Sequence, residues 1–293
     1  MNNKLITLFT RTPLHVGAGN SVGVVDSPIM RERHTQTPII PGSSLKGVLA
    51  DLWNDSAENF TEIKNDNGKD QKVRNNELKR LFGSDDPRKG HAHSGTLLIG
   101  EARVLAFPLR SAKGGFAWIT CPHALKKFAC DTGKTLGEIP EPKNEECFAG
   151  SSIVFPGKDA VILEEYRFTK IGGINTKIVE MLKALCSDPV WEPEKRLVIV
   201  SDEIFSYFVA NACEVVTRIG IDDETGTVKS GALFNQEQVP SETLFYAMLG
   251  TAKKGQENDL KTLADKIKES CGNVLQVGGD ATIGLGFCSV KIA

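Results

Sequence analysis

Between Arg11 and Gly47 the chain reads RTPLHVGAGNSVGVVDSPIMRERHTQTPIIPGSSLKG, and most of its residues with chemical potential gather there. His15 sits in a loop made flexible by Gly17 and Gly19, and Asp26 follows in the turn VDSPI. A carboxylate flanked by Val25 and Pro28 has two roles open to it. One is an Asx residue that shapes the turn; the other is a metal ligand or a general base for a hydroxyl nucleophile. In PGSSLKG, Ser43, Ser44 and Lys46 open a helix, where free N–H groups, the positive dipole end and the lysine together make an anion site. An ordinary cap with a solvated lysine is the alternative. Near the C-terminus, GGDATIGLGF places Gly278, Gly279, Gly284 and Gly286 close together, as a phosphate cradle or a tight turn between strands. It is neither a GxGxxG motif opening a helix nor a Walker loop. His91 and His93 form an HAH pair without a third metal ligand, which makes them exposed loop histidines. Nothing in the chain resembles a nucleophile elbow.

These residues need elements to hold them. Leu5–Phe9 is a compact apolar run closed by Arg11, Thr12 and Pro13, so it is a buried strand. Leu45, Val48, Leu49, Leu52 and Trp53 share one helix face, with Ser43 or Ser44 as the N-cap. From Asn54 to Gly95 the sequence turns polar and charged, an excursion from the core with a helix around Asn76–Phe82. Extended runs return at Leu97–Ile99, Arg103–Phe107 and Phe116–Thr120. A second stretch, Glu164–Pro193, carries Gly172, Gly173 and Pro189 and reads as another projection. Arg196–Val200 and Val215–Ile221 are strands flanking a helix capped by Ser201. A later helix, capped by Asn258 and ended by Gly272, presents Leu260, Leu263, Ile267 and Cys271 on one side. Val274–Val277 and Phe287–Ile292 are extended. This order fits an α+β domain with a mostly antiparallel sheet, best matched by a split βαβ, ferredoxin-like core with insertions.

Composition narrows the classes further. With 293 residues, 40% hydrophobic and 25% charged, the chain can bury a large core. A net charge of −2 carries no global sign of nucleic-acid binding, although a local basic surface is what meets phosphate. Over residues 1–50 the balance is positive: Lys4, Arg11, Arg31, Arg33 and Lys46 stand against Asp26 and Glu32. Seven scattered cysteines without a CxxC pair read as reduced thiols. No apolar run is long enough for a signal peptide or a membrane span. A soluble cytoplasmic protein is expected.

LHVGAG, VVDSPI, RERHTQTPIIPGSSLKG and GGDATIGLGF together resemble the RAMP proteins of CRISPR effector complexes. Within them, the chain is most similar to the repeated backbone subunit of the type III-B complex. The likeness continues through GTLLIGEARVLAFPLRS, GFAWITCP and TRIGIDDETGTVKSGALFNQEQVPSETLFYAML, and so spans most of the chain. It implies an RRM/ferredoxin-like palm (residues 1–53, 96–163 and 196–293), with a helical finger insertion at about 54–95 and a thumb projection at about 164–195. It also implies a helical filament of copies on a CRISPR guide RNA, beside other Cmr complex subunits and with no membrane partner. Target single-stranded RNA would be cut at six-nucleotide steps. By the same resemblance Asp26 is the catalytic and metal-binding residue, for Mg²⁺ or Mn²⁺. His15 is the loop histidine and second catalytic candidate, as a proton donor or orienter or as a phosphate contact only. Arg11, Gly17, Gly19, Ser43, Ser44, Lys46 and the four loop glycines would contact RNA. Two positions depart from the family pattern: Glu101 replaces a frequent aspartate, and NQEQVP has glutamines where acidic and aromatic residues are usual.

The implied chemistry is coherent. RNA is cut by its own 2′-OH when the backbone is held in line, leaving a 2′,3′-cyclic phosphate and a 5′-OH. Guide binding would rest on phosphate contacts and duplex shape. The rival is a non-cleaving filament scaffold or a RAMP protein that processes the guide precursor. A small-molecule phosphate enzyme built on the glycine-rich loop is the remote third, since no nucleotide motif accompanies that loop.

Overall fold

The computed structural model describes residues 3–19, 24–65, 67–84 and 93–293. At its centre the strand Lys4–Thr10 is buried at six of seven positions. It lies antiparallel between Leu244–Thr251 and Phe287–Ile292, with Ile6 opposite Ala247 and Leu8 opposite Val290. Successive side chains of a strand point to opposite faces, and here both faces are covered. Ile6 and Leu8 enter one hydrophobic cluster, whereas Leu5 and Phe9 enter another. Coverage on both sides explains why the run is apolar on both faces, broken only by the buried Thr7, rather than alternating.

Helices supply the two covers. Gly42–Asp51, Asn76–Phe82, Asp202–Asn211 and Glu257–Cys271 place Leu45, Leu49, Leu78, Leu81, Phe205, Phe208, Leu260 and Leu263 on the Ile6 side. Pro122–Thr132 and Thr176–Lys183 place Leu125, Phe128, Ile178 and Leu182 on the Leu5 side. Each such side chain, fully removed from water, contributes about 1.5–3 kcal/mol.

The long strand Ala102–Ser111 joins two parts of the sheet. Its first half pairs with Ile39–Ile40 and Leu244–Thr251, and its second half forms a hairpin with Gly115–Thr120. From there the sheet runs through Leu197–Ile199, Glu146–Ala149, Tyr166–Gly172 and Ala160–Leu163. Ser111 then meets Leu163 and closes a barrel-like ring. The sheet is mostly antiparallel, with two parallel pairings inside the ring.

Much of residues 164–195 packs into the body. Tyr166–Gly172 is hydrogen-bonded along both edges, Ile178 and Leu182 are buried, and the Trp191 ring packs edge-on against Phe9 and Trp118. The glycines and proline there are turns within the body, and the apolar helix spacing between them outweighs those breaks. The segment that leaves the body is the hairpin of Glu214–Ile221 and Val228–Gln238, a separate two-stranded sheet. Its alternating sequence looks like a half-buried strand, but no second layer covers it among the described residues. The 54–95 excursion is also more than helical. It holds a second ribbon, Phe60–Lys64 with Asp70–Arg74, ahead of the helix Asn76–Phe82.

Two helix starts differ from expectation. The helix Gly42–Asp51 begins after Pro41, whose carbonyl accepts from Leu45 N–H, and neither Ser43 nor Ser44 caps it. Proline presets the backbone angle for entry, and the two hydroxyls lie within the first turn. The last helix begins at Glu257 without a side-chain cap from Asn258. Gly272 ends it in the left-handed conformation, as expected, and Ser201 caps Asp202–Asn211 through Ile204 N–H.

Candidate active site

Two short segments run antiparallel at the root of the hairpin. Ala18 N–H donates to Pro28 O at 2.9 Å and Met30 N–H to Val16 O at 2.8 Å. Leu14, Val16 and Ile29 sink into the core and hold both segments. The polar residues between these apolar ones are thereby fixed against the outgoing hairpin strand.

His15 is only 7% exposed. Its Nδ1 lies 2.7 Å from Glu237 O and its Nε2 lies 3.2 Å from Ser27 Oγ. A carbonyl only accepts, so Nδ1 carries a proton, and Nε2 shares a hydrogen bond with the Ser27 hydroxyl. Both ring nitrogens are therefore committed. The His15 carbonyl accepts Gly279 N–H at 2.9 Å.

Asp26, by contrast, is exposed. Its Oδ2 accepts the backbone N–H of Asn235 at 2.8 Å. The next residue extends the docking: Ser27 N–H donates to Asn235 O and Ser27 O accepts Glu237 N–H. The catalytic candidate is thus held by the hairpin's root and not by its own loop alone. Among the described residues no group of three or more His, Cys, Asp or Glu side chains is arranged to hold a metal ion.

Glu237 is a hub that sequence reasoning passed over. Its Oε2 accepts Ile29 N–H at 3.0 Å and its Oε1 pairs with Arg31 Nη2 at 2.6 Å. Beside it, Gln236 is buried: its amide donates to Asp280 Oδ2 at 2.5 Å, while its oxygen accepts from Arg218 and Gln238. The alternation of NQEQ at a strand end was the signal available for Gln236 and Gln238, which turn inward, but not for Glu237 between them. Burial pushes the nearby Cys213 thiol up to about 12. Burial, with Glu242 nearby, also raises Glu214 at the hairpin's first position.

The glycine-rich loop is a buttress. It joins the antiparallel neighbours Val274–Gln276 and Phe287–Ile292, which is the turn alternative realised. A Cβ on Gly278 would fall 2.3 Å from His15 O, and one on Gly286 would fall 1.9 Å from Val277 O. Only glycine fits either place. The N–H groups of Gly279, Gly284 and Gly286 donate to His15 O, Ala281 O and Pro13 O, so those three donors are taken by the chain's own carbonyls and do not face a phosphate.

The structure brings His15, Asp26, Gly17, Gly278 and Gly279 to one locality, with Gly17 bridged to Ile29. Among the described residues, no side-chain bond joins Arg11, Ser43, Ser44 or Lys46 to it. Arg11 instead donates to Ser289 Oγ at 2.6 Å and lies 3.4 Å from Asp188. Gly19 is exposed with a positive φ. His91 lies outside the described residues, and His93 is exposed.

A mixed α/β body closed by a ring of strands, with a carboxylate held at the root of a free hairpin, defines the class. Residues 7–289 match the RAMP superfamily, and the chain belongs to it. It is 35% identical to the CRISPR system Cmr endoribonuclease Cmr4 of Pyrococcus furiosus, over 100% of this chain and 96% of that protein. The crystal structure of oligomeric Cmr4 from Pyrococcus furiosus superposes with a TM-score of 0.73 at 28% identity, covering 100% of this chain and 98% of the other. A chain of the type III-B Cmr-beta complex bound to cognate target RNA gives a TM-score of 0.70 at 20% identity, covering 100% and 97%, a likeness of fold.

Proposed function

We propose that this chain is a backbone subunit of a type III-B CRISPR complex that binds guide RNA and cuts the paired target RNA. The observation that carries the reading is the exposed Asp26 carboxylate tied to Asn235 N–H, in a chain alike over its full length to a Cmr endoribonuclease. A subunit that only attracted phosphates would gain nothing from a carboxylate held outward at that place.

The reaction asks little of the protein beyond position and one proton acceptor. The target's 2′ oxygen forms a bond to the adjacent phosphorus, and the bond from phosphorus to the 5′ oxygen breaks. The 2′-OH proton passes to Asp26, and the leaving 5′ oxygen takes a proton from solvent. The products are a 2′,3′-cyclic phosphate and a 5′-OH. His15 acts as an orienter: with Nδ1–H on Glu237 O and Nε2 on Ser27, it fixes the residue next to Asp26. A single outward carboxylate fits Mg²⁺ or Mn²⁺ shared with RNA phosphates, because such ions accept one or two carboxylates plus phosphate oxygens. An ion on Asp26 would supply charge neutralisation at the phosphate.

In this reading the body is the RRM-like palm and the 54–95 segment supplies the fingers. The hairpin 214–238, and not 164–195, is the thumb that reaches RNA or a neighbouring copy. Val215, Ile219, Ile221, Val228, Leu233 and Phe234 stand exposed on it, the kind of surface that a partner covers. Cuts spaced by six nucleotides follow from one Asp26 per subunit along a regular filament. Lys46 and the first turn of Gly42–Asp51 contact guide phosphates. No helix among the described residues is long and apolar enough to cross a membrane, and the cytoplasm is the proposed location.

The test is end-group analysis of a labelled target cut by the reconstituted complex, with and without a chelator. A ladder ending in cyclic phosphate and 5′-OH, lost on chelation, is expected. Products with 3′-OH and 5′-phosphate would refute the 2′-OH route. Tight binding without cutting would favour the scaffold.

A further inference from the structure

Arg31 is gripped from three sides. Its Nη1 donates to Gln36 O at 2.5 Å and Val209 O at 2.9 Å, while Nη2 meets Glu237 Oε1 at 2.6 Å. Val209 lies near the end of the helix Asp202–Asn211, just before the hairpin's first strand begins at Glu214. Glu237 lies at the end of the hairpin's second strand, Val228–Gln238. One guanidinium therefore holds both roots of the hairpin. The same residue ends the segment that carries Asp26, Ser27 and Ile29.

Glu237 completes the clamp from the other side. Its four polar groups reach Arg31, Ile29 N–H, Ser27 O and His15 Nδ1. Both charged side chains are nearly withdrawn from water, at 14% and 12% exposure. Withdrawing such a pair costs about as much desolvation as the attraction returns, so a gain in stability is a weak reason for it. Geometry is the better reason. A planar guanidinium spans several acceptors in fixed directions, which a lysine ammonium on a flexible stem does not reproduce.

We propose that Arg31 and Glu237 are positioning residues that set the angle between the hairpin and the Asp26 loop, and so govern the rate of cutting rather than RNA binding. This rests on the reading of Asp26 as the cutting carboxylate. Asp26 Oδ2 reaches the hairpin at Asn235, two residues before Glu237. Any swing of the hairpin about its roots moves Asn235 and the carboxylate together away from the phosphate. Misplacement by about 1 Å lowers a rate by as much as about a hundredfold.

The test uses Arg31→Lys and Glu237→Gln, singly and together, in the fully assembled complex beside Asp26→Ala. Glu237→Gln keeps the side chain's shape and its bond to Ile29 N–H, which guards against simple unfolding. The readouts are the single-turnover cutting rate, the target Kd and the complex's Tm. Each single variant, assayed well below its Tm, should cut about tenfold or more slowly with target Kd within about twofold. Glu237→Gln, which leaves the Arg31 charge without its carboxylate, should also lower Tm. The double variant should be no slower than the slower single variant, because both remove one clamp. Wild-type rates in the pair variants beside an inactive Asp26→Ala would overturn the positioning role alone. So would a loss of rate matched by an equal loss of binding. Cutting by Asp26→Ala at the wild-type rate would overturn the assignment beneath it.

Discussion

The body and the hairpin are written in nearly the same alphabet but meet opposite fates. In Lys4–Thr10 and Ala102–Ser111, β-favouring side chains are packed from both faces, and Ile6, Leu8 and Phe107 are fully buried. In the hairpin, Ile219 sits directly opposite Leu233, yet they remain 52% and 63% exposed. Pairing between strands is equally regular in both. What differs is the second layer: helices cover the body, whereas none of the described residues forms a layer over the ribbon. A lone two-stranded ribbon is at best marginal in water. This one is held at its root by Asp26, Gln236 and Glu237, where the polar groups with proposed chemistry also lie. The difference teaches that the ribbon's apolar side chains add little to the core, and that stability and the proposed function can be disturbed separately.

The largest effect should come from hollowing the body. Phe107→Ala should lower folding stability by about 3–5 kcal/mol, read as a shift in the urea midpoint. Next is the buttress: Gly286→Ala puts a Cβ against Val277 O at a φ of +79°, and should cost about 2 kcal/mol or more. If Gly286→Ala were neutral, the loop would be free to move, and its account as a support for His15 would fail.

A graded effect comes from pH. Burial pushes Cys147, Cys213 and Cys288 up to about 12 from an ordinary value near 9. Unfolding releases these thiols to ionise sooner. Their contribution is whole below about pH 9 and is lost as pH rises toward 12. Urea midpoints should therefore fall between pH 8 and pH 10. The smallest effect on folding belongs to the hairpin. Leu233→Ser should change stability by no more than about 0.5 kcal/mol while weakening assembly of the complex. Destabilisation of Leu233→Ser on the scale of Phe107→Ala would erase the contrast.

Much of the body was legible in the sequence, because long apolar patterns report burial directly. Leu5–Phe9, the helix Asn76–Phe82, the Ser201 cap and the Gly272 stop all follow from local rules. Where an element packs is not a local property. Thr176–Lys183 and Val215–Ile221 both look amphipathic, but the first is covered and the second is not, and only the assembled sheet distinguishes them. His15 and Asp26 stood out by residue type. Their supports did not: Glu237 lies more than two hundred residues from both, and Arg31 looked like one member of a charged RER cluster. For Gly278, Gly279 and Gly286 the sequence leaves a phosphate cradle and a tight turn both open, and close approach of backbone to His15 and Val277 accounts for glycine at 278 and 286.

Asp26→Asn tests the central claim most directly. It keeps an oxygen for Asn235 N–H and removes the charge and the basicity. In the assembled complex with labelled target and Mg²⁺, binding should stay within about twofold of wild type while cutting falls by at least about a hundredfold. A cleavage ladder that persists at the wild-type rate would contradict the claim and leave Asp26 as a turn residue.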